Sequence, residues 1–283
     1  MKTLYIDCFS GVSGDMFIGA LVDAGANPSI LEKELKKLHF EDEYQLKWQK
    51  IVKNGITSTK FDVVLTHTEH QHTHEHPHIH DHEHTHEHQH AHNHEHTHEH
   101  QHTHDHEHAH EHHHSHRSYS TIVNMIKSSE LADEVKEISL KIFRKIGEAE
   151  GRIHGVPLEN VHFHEVGAVD SIIDIVGAAI LIHDLEIQQI KSAPVVVGSG
   201  RIHIDHGIYP VPAPATLEVL RGVPIEQSDI RFELTTPTGA AIVAVLAEEF
   251  CTMPSMKVQS IGYGAGTKTF KAHPNVLRVV IGD

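Results

Sequence analysis

Between His67 and His116 the chain alternates histidine with Thr, Glu, Gln, Asp and Ala so regularly that 26 of its 34 histidines fall within 50 residues. A run with so few aliphatic side chains cannot bury enough apolar surface to offset its chain entropy, so disorder is expected there in the absence of metal. The tract therefore divides the sequence into an N-terminal α/β part over 1–66, a histidine-rich metal-binding stretch over 67–116, and the remainder of an α/β body over 117–283.

Charge sharpens this reading. The tract holds 10 acids and no lysine or arginine, and the other 233 residues carry 29 acids and 23 bases, a net of −6. Free imidazole titrates near pH ~6.5, so roughly a quarter of the tract's histidines are protonated at neutral pH and its charge is only mildly negative. An acidic balance over the whole chain argues against a phosphate-neutralising stripe, and no nucleic-acid partner is expected. No apolar run approaches the ~20 residues that span a bilayer, and Asp7 interrupts any stretch of signal-peptide length, so neither a membrane partner nor a leader is expected. The expected compartment is the cytoplasm, with Cys8 and Cys251 reduced.

Outside the tract, residues 3–9 (TLYIDCF) read as a buried strand, SGVSGD as a loop, and MFIGALVDAG as a helix ending at Gly25. Asn27-Pro28 restarts a helix through Leu38, and Asn54-Gly55 between two alternating segments marks a β-hairpin. Leu131, Val135, Ile138, Ile142, Ile146 and Ala149 recur at helical spacing, while residues 171–185 are apolar nearly all round, as in a covered helix. Strand-like runs at 193–197, 230–234, 256–261 and 276–281 alternate with helices beginning near Ala213 and Pro237. The fold class expected is α/β or α+β, a mixed sheet with packed helices interrupted by the long histidine-rich insert.

Several groups have the composition of chemical sites. In an extended tract, alternate side chains lie on one side about 6.6 Å apart, so imidazoles such as His78, His80, His82, His84, His86 and His88 can converge on one ion; the alternative is a solvated linker or a low-complexity expansion. Imidazole suits nickel, copper, zinc and cobalt, and composition does not choose between them. Fifty flexible residues have an r.m.s. span of about 40 Å, enough to bring metal to a site on the folded body. On that body, Asp7, Ser10, Ser13, Gly14 and Asp15 surround a strand-to-helix turn, which either binds a phosphate or carboxylate or merely caps the helix. No lysine follows Gly14, so the loop is not of the Walker type. His162, His164 and Glu165 precede Asp170 and Asp174, one helical turn apart, a ligand set for a divalent cation; the alternative is an N-cap at Asp170 and satisfied polar groups. Arg201, His203, Asp205 and His206 form a third group, suited to phosphate, metal or proton transfer or else an ordinary surface loop, and Thr235 and Thr236 sit before Pro237 at a helix start, where they either cap or bind. Gly262, Gly264 and Gly266 lack the following helix of a dinucleotide fingerprint; Lys268, Lys271 and His273 beside them suit an anionic substrate. Cys8 reads as strand packing rather than as a nucleophile.

Taken together, DCFSGVSGDMFIGALVDAG, HFHEVGAVDSIIDIVGAA, the histidine-rich insert, GRIHIDHGIYPVPAPAT, LTTPTGAA and GYGAGTKTFKAHPNVLRVV resemble the LarC family of nickel insertion proteins, in order and over nearly the whole chain. The resemblance implies insertion of Ni2+ into pyridinium-3,5-bisthiocarboxylic acid mononucleotide, forming two nickel–sulfur bonds and one nickel–carbon bond with consumption of CTP. That is a chelatase or cyclometallase of the lyase class, which completes the nickel-pincer cofactor of lactate racemase. In that setting His164, Glu165 or His206 is the base that removes the ring proton. The phosphate falls to the helix starts at Ser13 and Thr236, with Arg201 and Lys268 as cations. His162, His164 and Asp170 hand over nickel. The resemblance also implies a further C-terminal domain, associated with CTP and Mn2+ or Mg2+, beyond the LRVV segment; with the chain stopping at Asp283, a separately encoded or continued domain is the expected partner, along with a pincer-dependent apo-enzyme and a homo-oligomeric state. A protein that only stores or delivers nickel is the competing expectation.

Overall fold

A computed structural model describes residues 1–66, 117–163, 166, 168–204 and 207–283. The expectations for the tract, including His78, His80, His82, His84, His86 and His88, and those for His164, Glu165, Asp205 and His206, lie outside the described residues. The described residues on either side of the tract cluster into one compact unit.

The chain opens with β1 (Thr3–Asp7), α1 (Gly14–Asp23) and α2 (Pro28–Leu35), then forms the hairpin of β2 (Tyr44–Lys53) and β3 (Ile56–Leu65). Asn54 and Gly55 turn that hairpin with φ of 48° and 85°, the left-handed pair of a type I′ turn. After the tract come α3 (Tyr119–Ser128), α4 (Asp133–His154), α5 (Val169–Asp184), β4 (Gln189–Ser192) and β5 (Val195–Val197). They are followed by β6 (Arg201–Ile204), β7 (Gly207–Pro210), α6 (Pro214–Val219), β8 (Ile225–Gln227), α7 (Pro237–Leu246), β9 (Glu249–Phe250), β10 (Val258–Ala265) and β11 (Val276–Gly282).

Seven strands make one mixed sheet in the order β2-β3-β10-β11-β1-β4-β9. The β1–β4, β4–β9 and β3–β10 pairs are parallel and the others antiparallel. A parallel pair β5–β8 and the antiparallel ribbon β6–β7 stand outside it. Residues 230–234 correct the expectation of a strand: Phe232 N–H turns back on the Ile230 carbonyl at 2.9 Å, and Ser199 N–H takes the same carbonyl, so no ladder forms.

Helix α1 lies on β10 and β3, with α5 behind it. The contact is backbone-close: a Cβ on Gly264 would lie 1.7 Å from the Met16 carbonyl oxygen, and one on Gly262 would lie 2.1 Å from that of Ala20. These two glycines serve helix-on-strand packing rather than a nucleotide. Helix α5 is the centre of the core, with Ile172, Ile173, Ile175, Val176 and Leu181 fully buried, each contributing about 1.5–3 kcal/mol by leaving water. Helix α4 keeps a solvated outer face, where the Glu137–Lys141 and Arg144–Glu148 pairs add little at full exposure.

Candidate functional site

The turn after β1 brings three helix starts together. Gly11 N–H bonds the Cys8 carbonyl at 2.8 Å, and the next residues are tied to the segment before α7: Thr235 Oγ1 accepts from Val12 N–H at 3.2 Å, and Thr236 N–H donates to the Val12 carbonyl at 3.1 Å. Gly14 then begins α1 directly against Asp174 of α5. A Cβ there would lie 2.4 Å from Asp174 Oδ2, so the carboxylate reaches this position only because residue 14 is glycine.

Between these helix starts and β3 lies a cleft of about 420 Å³, lined by Gly14, Asp15, Lys60, Asp62, Asp170, Asp174, Glu233 and Thr236 among others. That volume is in the range of small-molecule sites. Lys60 crosses it, with Nζ 2.7 Å from Asp15 Oδ2 and 2.8 Å from Asp62 Oδ1, and it also donates to the Phe61 carbonyl. Burial, the largest influence, disfavours its charge, but the Asp15 and Asp62 carboxylates outweigh it and hold the ammonium above its usual range. Asp174 is the reverse case. Its Oδ1 is shut off from solvent with no hydrogen bond among the described residues. Burial first, then Asp15 and Asp170, push its carboxyl well above the ordinary 3.8, with Lys60 opposing. A deeply placed carboxyl group with an unused oxygen, among other carboxylates at the positive ends of helices, offers oxygen donors of the kind a cation takes.

The candidate residues separate clearly in space. Ser13, Gly14, Asp15, Asp170, Asp174 and Thr236 line the cleft together. Ser13 occupies the N-cap position of α1, but its hydroxyl bonds the Asp15 side chain instead of a backbone amide. Thr236 caps α7 through Gly239 N–H at 3.2 Å. Asp170 Oδ1 accepts from Ser171 N–H at 2.8 Å in the first turn of α5, while Ala168, not Asp170, is the N-cap residue. Asp7 instead pairs with Arg278 across β1 and β11, Ser10 Oγ donates to the Pro274 carbonyl at 2.7 Å, and Thr235 Oγ1 donates to the Val196 carbonyl at 2.7 Å. These three side chains are spent on holding strands and loops. Arg201 and His203 are exposed on the β6–β7 ribbon and do not line the cleft. Lys268 sits 5.8 Å over the Phe232 ring, next to the cleft residue Thr267. His162 is exposed and bridges Ser118, while its neighbour Phe163 packs edge-on to Tyr119. Cys8 is fully buried, and burial, partly offset by Ser192, pushes its thiol up to about 12, which leaves no nucleophile. Among the described residues, no three His, Cys, Asp or Glu side chains form a ready metal cluster.

Sequence reasoning missed Lys60 altogether. Strict alternation along β3 places it on the solvent face with Asp62, yet Ser58 through Phe61 are all buried, so both faces of this stretch are covered. The one available signal was a lysine between Thr59 and Phe61 in an otherwise strand-forming run. The described residues that flank 67–116 meet at Glu43: Thr66 N–H donates to the Glu43 carbonyl at 3.0 Å and Arg117 Nη2 to Glu43 Oε1 at 2.5 Å. Val63, three residues before Thr66, lines the cleft, and Ser118 pairs with His162, four residues before the cleft residue Val166.

The family model described as nickel insertion protein matches residues 4–283. The chain is 50% identical over 284 residues to the pyridinium-3,5-bisthiocarboxylic acid mononucleotide nickel insertion protein of Geobacillus kaustophilus, covering 100% of this chain and 60% of that protein. It is 46% identical to the protein of that name from Clostridium kluyveri and 49% identical to the one from Clostridium acetobutylicum, covering 62% and 64% of their lengths and all of this chain. The chain thus spans under two thirds of these curated relatives. No solved structure matches it.

Proposed function

The chain belongs to the nickel insertion protein family, and from that premise we propose that it carries the nickel-handling part of the insertion of Ni2+ into pyridinium-3,5-bisthiocarboxylic acid mononucleotide, the substrate in its relatives' names. The observation that carries this reading is the Asp174 carboxylate, closed off from solvent on one oxygen and set against Gly14 beside Asp15 and Asp170. Carboxylate oxygens are hard donors for a borderline ion, so Asp170 and Asp174 hold nickel less firmly than the two thiocarboxylate sulfurs of the substrate, as a transfer site requires.

The ring carbon that bonds nickel must lose its proton to a base, for which His164 and Glu165, between Phe163 and the cleft residue Val166, are placed in sequence; His206 is the further candidate. The tract serves as nickel reservoir, delivering to the cleft. CTP with Mn2+ or Mg2+, a pincer-dependent acceptor enzyme, and assembly into an oligomer belong to this reading through the remaining length of the relatives. Incubating the chain with nickel, CTP and the dithio mononucleotide, alone and with the remaining segment of a relative supplied separately, produces the pincer's metal-to-ligand absorption band in at least the second case. Asp174→Asn abolishes it. No band in either mixture, or a full band with Asp174→Asn, overturns the proposal.

A further inference from the structure

Lys53 ends β2, is only 7% exposed, and has no carboxylate in ion-pair reach among the described residues. Its Nζ donates instead to the Thr267 and Lys268 carbonyls at 3.2 and 3.0 Å and to Thr269 Oγ1 at 2.9 Å. Burial, with Lys60 nearby, lowers the pKa of this ammonium. A buried ammonium without a counter-ion is costly, and a neutral donor would tie down the loop more cheaply.

The carbonyls drawn inward fix the direction of the amides. Val211–Pro212 is the sole cis peptide among the described residues, so the peptides following Thr267 and Lys268 are trans and planar, with N–H opposite C=O. The N–H groups of Lys268 and Thr269 therefore face outward, and neither makes a hydrogen bond among the described residues. Residues 267–269 are exposed, and the loop is rigid from below: Asn275 Nδ2 also holds the Lys268 carbonyl at 3.0 Å and Asn54 Nδ2 holds that of Lys271 at 3.2 Å. Successive unbonded amides above a fixed positive charge are donors suited to an anion.

We infer that the loop 267–271 is an anion site for a phosphate monoester, cradled by the Lys268 and Thr269 amides, flanked by the Lys268 and Lys271 side chains and charged from beneath by Lys53. This rests on the substrate proposed above, whose phosphate would then bind at the cleft rim, opposite the carboxylates that face the metal. Thr267, which lines the cleft, joins the two halves. Lys53 touches no ligand in this arrangement and is a positioning residue.

Inorganic phosphate titrated into the 15N-labelled chain shifts the Lys268 and Thr269 amide resonances saturably. Lys53→Gln keeps donors for the loop but removes the charge, and it weakens the phosphate Kd at least tenfold, a change of about 1.4 kcal/mol. Should that variant not fold, Lys268→Glu, an exposed change, abolishes the same shifts. Absence of saturable shifts at these two amides, or an unchanged Kd in the folded Lys53→Gln chain or in Lys268→Glu, overturns the inference. Displacement of phosphate by the dithio mononucleotide assigns the site to the substrate, whereas displacement by CTP alone removes that assignment. No arm contains nickel, so failure of nickel insertion shows in the absorbance assay and not here.

Discussion

In the function proposed above, the histidine tract and the carboxylate cleft serve the same task, holding a divalent ion, by opposite means. The tract offers 26 near-identical donors in sequence and depends on number. The cleft offers few donors and depends on placement: Asp15 and Asp174 are 159 positions apart in the chain and meet because α1 packs on α5 with Gly14 set against Asp174. Redundant ligands suit capacity, because removing one imidazole leaves its neighbours; fixed ligands suit a defined transfer geometry, which a small displacement destroys.

Deleting residues 67–116 is expected to have the largest effect on binding. At about four imidazoles per ion the tract holds about six nickel ions, and calorimetry should show most of the stoichiometry gone while pincer formation survives at saturating nickel. Loss of the product at every nickel concentration would erase the distinction between reservoir and transfer site. Lowering the pH through about 6.5 should empty the tract in the same way, as its imidazoles protonate.

Next in size is Asp170→Ala, expected to lower the rate of pincer formation about 10²-fold while stoichiometric nickel uptake stays nearly unchanged. Equal loss in both measurements would mean that the two regions are one site. Gly14→Ala forces a methyl into Asp174 and should destabilise the fold by about 1–3 kcal/mol in urea denaturation, with no change in uptake by the tract.

The smallest effect concerns the metal-free fold. Because burial raises the Asp174 carboxyl, the folded state keeps a proton that the unfolded chain loses near its ordinary 3.8, so stability declines as pH rises from that value. Asp174→Asn should remove the decline and raise Tm at neutral pH by about 2–4 °C, the reverse of its effect on pincer formation. A lower Tm would show that the carboxylate has a partner that stabilises it.

Much of the local structure was legible. The Asn54-Gly55 turn, the amphipathic α4 and the covered α5 each follow from a pattern within a few residues; Asp15 and Asp170 were recognisable as acids at helix starts, Gly14 as a turn glycine and Asp174 as an acid within an apolar helix. Asp7, Ser10 and Thr235 looked equivalent to them, because a sequence displays a polar atom but not its partner. The partners that occupy them, Arg278, Pro274 and Val196, lie far along the chain. Lys53 and Lys60 were illegible for the same reason: alternation in a hairpin says which residues share a face, and only the element laid on that face makes it an interior.

The sequence by itself thus determined the histidine-rich composition of the tract and the periodic elements of the body, since composition and hydrophobic period are properties of short stretches of chain. Which carboxylates share a cleft, which lysine crosses it and which is buried beneath a loop were decided only by the tertiary fold. Electrostatic and hydrogen-bond partners depend on distance in space, and chain closure sets that distance across more than two hundred residues for Asp7 and Arg278.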